Sequence, residues 1–172
     1  MEKQSAQKHW INADFLAPNV MEVDVAGDAF APAFKLAAEI EQVDAAASSM
    51  MLSSVLRFHV QTPASKWSSD ILWISQEGLA TYNFFNEMFQ ASGIADHVAE
   101  RIDYQERIIL YSGFFVTRGQ CDKPHLHVDW VDGNNNAFTF LMPLNASCNQ
   151  LGLTYVKATG EMGEYAYQIG KG

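Results

Sequence analysis

Positive charge, cysteine and long apolar runs are scarce in this sequence, and each shortage removes a class of function. Eleven Lys and Arg stand against 20 Asp and Glu, for a net charge of −9 and a pI near 4.8. Phosphate backbones are gripped by basic stripes, so no nucleic-acid partner is expected. An anionic membrane surface is disfavoured on the same ground. No apolar run approaches the roughly 18–20 residues that a membrane-crossing helix needs, so no membrane partner is expected either. The first ten residues, MEKQSAQKHW, have no apolar core of the kind a secretory leader carries. The two cysteines, Cys121 and Cys148, make neither a disulfide framework nor a four-ligand zinc spacing. These shortages together predict a cytoplasmic, reducing-compartment protein.

What is present is the material of a folded domain. Apolar residues make up 48% of the 172 residues, and aromatics 12%. No linker, repeat or low-complexity tract interrupts the chain, so residues 1–172 read as a single domain. Its character changes along the way. In residues 30–58, rich in Ala, Met, Leu and Glu, Phe30, Phe34, Leu36, Ile40 and Val43 recur at helical spacing, which predicts one or two amphipathic helices. Residues 63–69 read as a loop and ILWI (71–74) as a short strand. GLATYNFFNEMFQ (78–90) reads as a helix with Gly93 as its cap, and 94–102 as another. Beyond about Arg107, RIILYSGFFVTR, AFTFLMPL, LGLTYVK and EYAYQIG are β-branched and aromatic, as strands are. The expected architecture is α+β, with a mainly helical front (1–104) buttressing antiparallel strands (105–172) in a sandwich or barrel.

One segment carries chemistry. In GQCDKPHLHVDW, His125, His127 and Asp129 alternate, so on a strand all three side chains share a face. Two imidazoles and a carboxylate are the donors that bind Fe(II), Mn(II) or Zn(II). Same-face neighbours on a strand lie roughly 6–7 Å apart, so a typical site takes two ligands here and a third from elsewhere.

The surroundings of that segment resemble the Fe(II)/2-oxoglutarate-dependent dioxygenases, in their prolyl-hydroxylase-like and phytanoyl-type branches. His127-Val128-Asp129 matches their HxD motif. Residues 137–145, AFTFLMPLN, match the strand that follows it. LGLTYVK, GEYAYQIGKG and the upstream LYSGFFVTRG match the next strands and the preceding one. The resemblance spans roughly Gln105 to Gly172. It implies a double-stranded β-helix, a jelly-roll or cupin-like barrel preceded by helices. It also implies Fe(II) and 2-oxoglutarate as cofactors, and hydroxylation of a small-molecule or protein side-chain substrate. His127 and Asp129 would be metal ligands, with His125 a substitute ligand or a donor orienting Asp129. Tyr111 and Thr117, of one strand parity, and Thr139 would line the cosubstrate pocket.

The sequence departs from that family at two points. All five histidines are His9, His59, His97, His125 and His127, so the third family ligand has no counterpart downstream of the motif. No arginine follows Arg118, so the cosubstrate's carboxylate clamp has none either. The expectation is a C-terminally truncated dioxygenase with an incomplete barrel, inactive as these 172 residues, weak in metal binding, and prone to homodimerise through an open strand edge. Two alternatives stand beside it. Gly119, five residues, then His125-Leu126-His127 is similar to the first cupin motif, with Asp132 in place of its glutamate. That reading makes His125 a ligand in place of Asp129. The other alternative is a non-enzymatic oligomerisation domain on the same scaffold.

Overall fold

The segment LRFHVQ alternates, and the structure follows it. Leu56, Phe58 and Val60 are buried while Arg57, His59 and Gln61 are exposed, the signature of a strand covered on one side. The computed structural model describes residues 15–17, 20–23, 25, 27–44, 46–61, 71–99, 107–118, 126, 137–145, 152–157 and 159–168. In chain order the elements are β1 (Phe15–Ala17), β2 (Val20–Met21), a 3-10 turn (Gly27–Phe30), α1 (Ala31–Glu41), β3 (Ser49–Leu52), β4 (Leu56–Gln61), β5 (Ile71–Glu77), α2 (Leu79–Ser92), α3 (Ile94–Ala99), β6 (Phe114–Arg118), β7 (Gly152–Val156) and β8 (Met162–Ala166). The main sheet is four-stranded and antiparallel, in the order β3-β4-β5-β6. β1 pairs with β2, and β7 with β8, as separate two-stranded ladders.

Register puts the apolar residues in rows. Val60 opposes Ile74, and Ile74 opposes Phe115. α1 and α2 pack on that face: Ala33, Leu36 and Ile40 of α1 and Phe85 and Met88 of α2 join Leu52, Leu56, Phe58, Ile74 and Phe115 in one core. Phe58, Phe85 and Phe115 form its centre, with ring centroids 5.1–6.3 Å apart, the range in which tilted and edge-on aromatic pairs attract. In α2 the buried positions are Thr81, Phe85, Met88 and Ser92, a spacing of four, three and four that keeps one stripe on the sheet. Gly93, in the left-handed region at φ 73°, ends the helix. The Ser92 hydroxyl donates to the Phe89 carbonyl at 2.8 Å and accepts from the Ile94 N–H at 3.3 Å, bridging α2 to α3.

The hairpin between β3 and β4 is closed by two non-glycine residues in left-handed conformation, Ser53 (φ 47°) and Ser54 (φ 62°), with the Val55 N–H bonded to the Leu52 carbonyl at 3.3 Å. This is the geometry of a type I′ turn, which prefers glycine at its second central position. A Cβ there costs about 1–2 kcal/mol, against about 0.5–1 kcal/mol of extra unfolded-chain entropy for glycine. Ser54→Gly is therefore expected to stabilise the protein by about 0.5 kcal/mol, raising the thermal midpoint by about 1–2 °C. A calorimetric scan of the variant beside the parent protein tests this.

The structure corrects several expectations. Of the one or two helices expected in residues 30–58 there is one: α1 ends at Glu41, and residues 49–52 and 56–61 are β3 and β4. Helix-favouring Ala, Met and Leu masked the period-two alternation that pairing with β5 rewards. Helices therefore do not precede strands as a block, because three of the main sheet's four strands come from the stretch expected to be a mainly helical front. In RIILYSGFFVTR only residues 114–118 are strand, and AFTFLMPL has no regular strand. ILWI, the helix begun after Gly78 and its glycine cap are as expected, and α3 covers 94–99 of the helix expected there. The LGLTYVK and EYAYQIG strands pair with each other. The loop expected at 63–69 lies outside the described residues.

Candidate functional site: the segment bearing the His-x-His-x-Asp motif

The motif is framed by two anchored stretches of chain. On its upstream side, residues 107–113 lead into β6 and are held by α2 and β5. The Tyr82 hydroxyl donates to the Leu110 carbonyl at 3.1 Å. The Gly113 N–H donates to the Gln76 side-chain oxygen at 2.9 Å, and the Gln76 N–H donates back to the Gly113 carbonyl at 3.1 Å. β6 then pairs along β5 from Ser75↔Phe114 to Ile71↔Arg118. On the downstream side, residues 137–145 lie against the helical layer. Phe140 stacks on Phe30, with centroids 5.8 Å apart and planes at 18°, and packs beside Ile94 and Val98. Pro143 is buried, and Leu144 packs on the main core. The Asn145 amide donates to the Glu41 carboxylate at the end of α1. Both ends of the motif segment are thus tied to rigid elements, which is what a ligand-bearing segment needs for defined geometry.

The expected site residues fall out as follows. His125, His127 and Asp129 lie outside the described residues; Leu126, between the two histidines, is half exposed. Among the described residues there is no group of three His, Cys, Asp or Glu that could hold a metal. Tyr111 is exposed and precedes β6, so it does not share a strand with Thr117. Thr117 opposes Leu72 and lies on the sheet face that carries Phe115 and the helices. Thr139 is exposed, in the stretch without a regular strand.

No family model, curated protein or solved structure matches this chain.

The sheet's other face was missed in the sequence. Rows Ser49–His59–Ser75–Phe114 and Gln61–Trp73–Val116 cross it, with Arg57 beside Glu77. Trp73 and Phe114 lean on each other at 5.0 Å between centroids, and His59 and Arg57 are exposed. The signal was the polar half of LRFHVQ, which identifies residues looking away from the helices. This face bears an imidazole, hydroxyls and aromatic rings, and β6 leads from it into the motif segment. In the separate β7–β8 ladder and just after it, Tyr165 and Tyr167 meet edge-on at 6.1 Å, and burial pushes the Tyr167 phenol up from its ordinary value.

Proposed function

We propose that this chain carries the metal-binding motif of an Fe(II)/2-oxoglutarate-dependent oxygenase that hydroxylates a small molecule or a protein side chain. The observation that carries the reading is the sequence His125-Leu126-His127-Val128-Asp129, followed by AFTFLMPLN, with anchored chain on either side of the motif. On this reading the α+β core is completed as a double-stranded β-helix, and the face bearing His59, Trp73 and Phe114 looks toward its interior. The donor set fits the metal: imidazole nitrogen and carboxylate oxygen are the ligand types of non-haem Fe(II) sites with open positions. His127 and Asp129 hold the ion, and His125 either supplies a third nitrogen or donates a hydrogen bond that fixes the Asp129 carboxylate. Bound Fe(II) with 2-oxoglutarate supplies O₂ activation for C–H hydroxylation. The protein's share is to hold the ligands and exclude water.

The sequence offers no histidine after His127 and no arginine after Arg118. These 172 residues are therefore expected to bind Fe(II) weakly and to release no succinate from 2-oxoglutarate above an Asp129→Ala control. Metal titration by calorimetry under anaerobic conditions tests the ligand set. His127→Ala and Asp129→Ala are each expected to weaken binding by at least about tenfold, the usual loss when a ligand or its support is removed. Binding lost with His125→Ala and kept with Asp129→Ala replaces this reading with the cupin-type His/His site. Binding indifferent to all three substitutions removes the motif from the metal site altogether.

A further inference from the structure

Between α1, α2 and the β3–β4 hairpin lies an open groove of about 430 Å³. Leu36, Leu56 and Phe84 give it an apolar lining. Lys35 stands on its α1 wall and Glu87 on its α2 wall, both exposed, and neither is ion-paired among the described residues. At its rim the hairpin tip holds Val55 63% exposed, and Leu79, next in the chain to the groove-lining Ala80, is 72% exposed. The left-handed Ser53-Ser54 turn fixes Val55 in that position.

We propose that this groove is one half of a two-fold contact between two copies of this chain. The same face offers a projecting apolar tip and a furrow to receive one, which is the self-complementarity an isologous interface requires. The charges favour a second copy over a peptide of one sign. A peptide of one sign would meet a like charge on one wall. A two-fold axis instead sets Lys35 against Glu87 of the partner subunit and Glu87 against Lys35 of the partner subunit. Two such pairs also oppose the mutual repulsion of chains carrying −9 each. The contact does not depend on the oxygenase reading, and it differs from pairing through a strand edge, where these side chains would not matter.

Sedimentation equilibrium of the full chain, with far-UV circular dichroism to confirm folding, tests it. The parent protein is expected to dimerise reversibly. Lys35→Glu and Glu87→Lys are each expected to weaken the dimer by about tenfold or more, since each turns two attractive pairs into repulsive ones. The double variant Lys35→Glu/Glu87→Lys is expected to return to within about threefold of the parent, because it only exchanges the charges. An equimolar mixture of the two single variants is expected to form a heterodimer of similar strength. Val55→Ser is expected to weaken association without changing its charge response. A monomer at all concentrations overturns the proposal. So does a dimer indifferent to the single reversals, or the absence of recovery in both the double variant and the mixture.

Discussion

Gly113→Ala is expected to be among the most damaging single substitutions in the described core, although it adds only one methyl group. A Cβ at this position would meet the Phe85 ring at 2.1–2.5 Å, far inside van der Waals contact. Phe85 cannot retreat freely, because its ring is already packed against Phe58, Phe84 and Phe115 at centroid distances of 5.1–6.3 Å. Nor can Gly113 move away. Its N–H and carbonyl are both bonded to Gln76, which holds the chain in register as β6 begins. Overpacking a filled core costs about 1–3 kcal/mol and sometimes more, and with both partners pinned a loss of about 3 kcal/mol is expected. For a chain of this size that lowers the thermal midpoint by about 6–12 °C. The cause can be separated from a general glycine effect with a second substitution. Phe85→Leu alone costs about 1–1.5 kcal/mol of apolar burial. In the presence of Gly113→Ala it should cost less, because the smaller side chain gives the new methyl room, so the two changes should be clearly non-additive. Full additivity in urea titrations, or a Gly113→Ala penalty below about 0.5 kcal/mol, would show that the ring does not press on this backbone.

The same region shows why parts of this fold were readable and others were not. The helix after Gly78 is announced by its apolar spacing and by Gly93, and ILWI by its short apolar run with two isoleucines and a tryptophan, so local signals were sufficient there. Residues 46–61 carry two competing signals. Helix-favouring Ala, Met and Leu lie across them, while Leu56, Phe58 and Val60 alternate with Arg57, His59 and Gln61. The deciding factor is non-local, since β4 gains partners on both sides, from β3 and from β5, which lies ten residues beyond its end. AFTFLMPL fails in the opposite way. Its composition favours a strand, but its side chains are taken up elsewhere, Phe140 by Phe30 and Leu144 by the core, and the next residue, Asn145, is bonded to Glu41. At the candidate site the sequence supplied the donor types and their spacing. It could not supply the faces. Strand parity alone grouped Tyr111 with Thr117, but the strand starts only at Phe114, so the parity has no backbone to act through at Tyr111.

Thr81→Val tests how α2 is fastened to the sheet, and a loss of about 2 kcal/mol is expected. Thr81 has no solvent exposure. Its hydroxyl accepts from the Arg57 N–H at 3.0 Å and donates to the Arg57 carbonyl at 2.7 Å, with the Glu77 carbonyl also in reach at 3.2 Å. β5 stops at Glu77, opposite Arg57. The side chain of Thr81 therefore serves as one more rung for β4, and it does so from the first turn of α2. Valine keeps the shape and removes the rung. The Arg57 N–H and carbonyl then lose a fully buried partner at a part-buried site, and leaving such backbone groups unsatisfied costs about 1–3 kcal/mol. Thr81→Ser makes the opposite change. It keeps the hydroxyl and deletes one buried methyl group, worth about 0.8 kcal/mol. Stability alone gives the order parent, serine, valine. The sharper measurement is amide hydrogen exchange at Arg57, which should quicken in the valine variant and stay near the parent rate in the serine variant. Equal exchange in all three proteins would mean that β4 does not rely on this hydroxyl. In that case α2 is held to the sheet by apolar contacts, those of Phe84, Phe85 and Met88 among them.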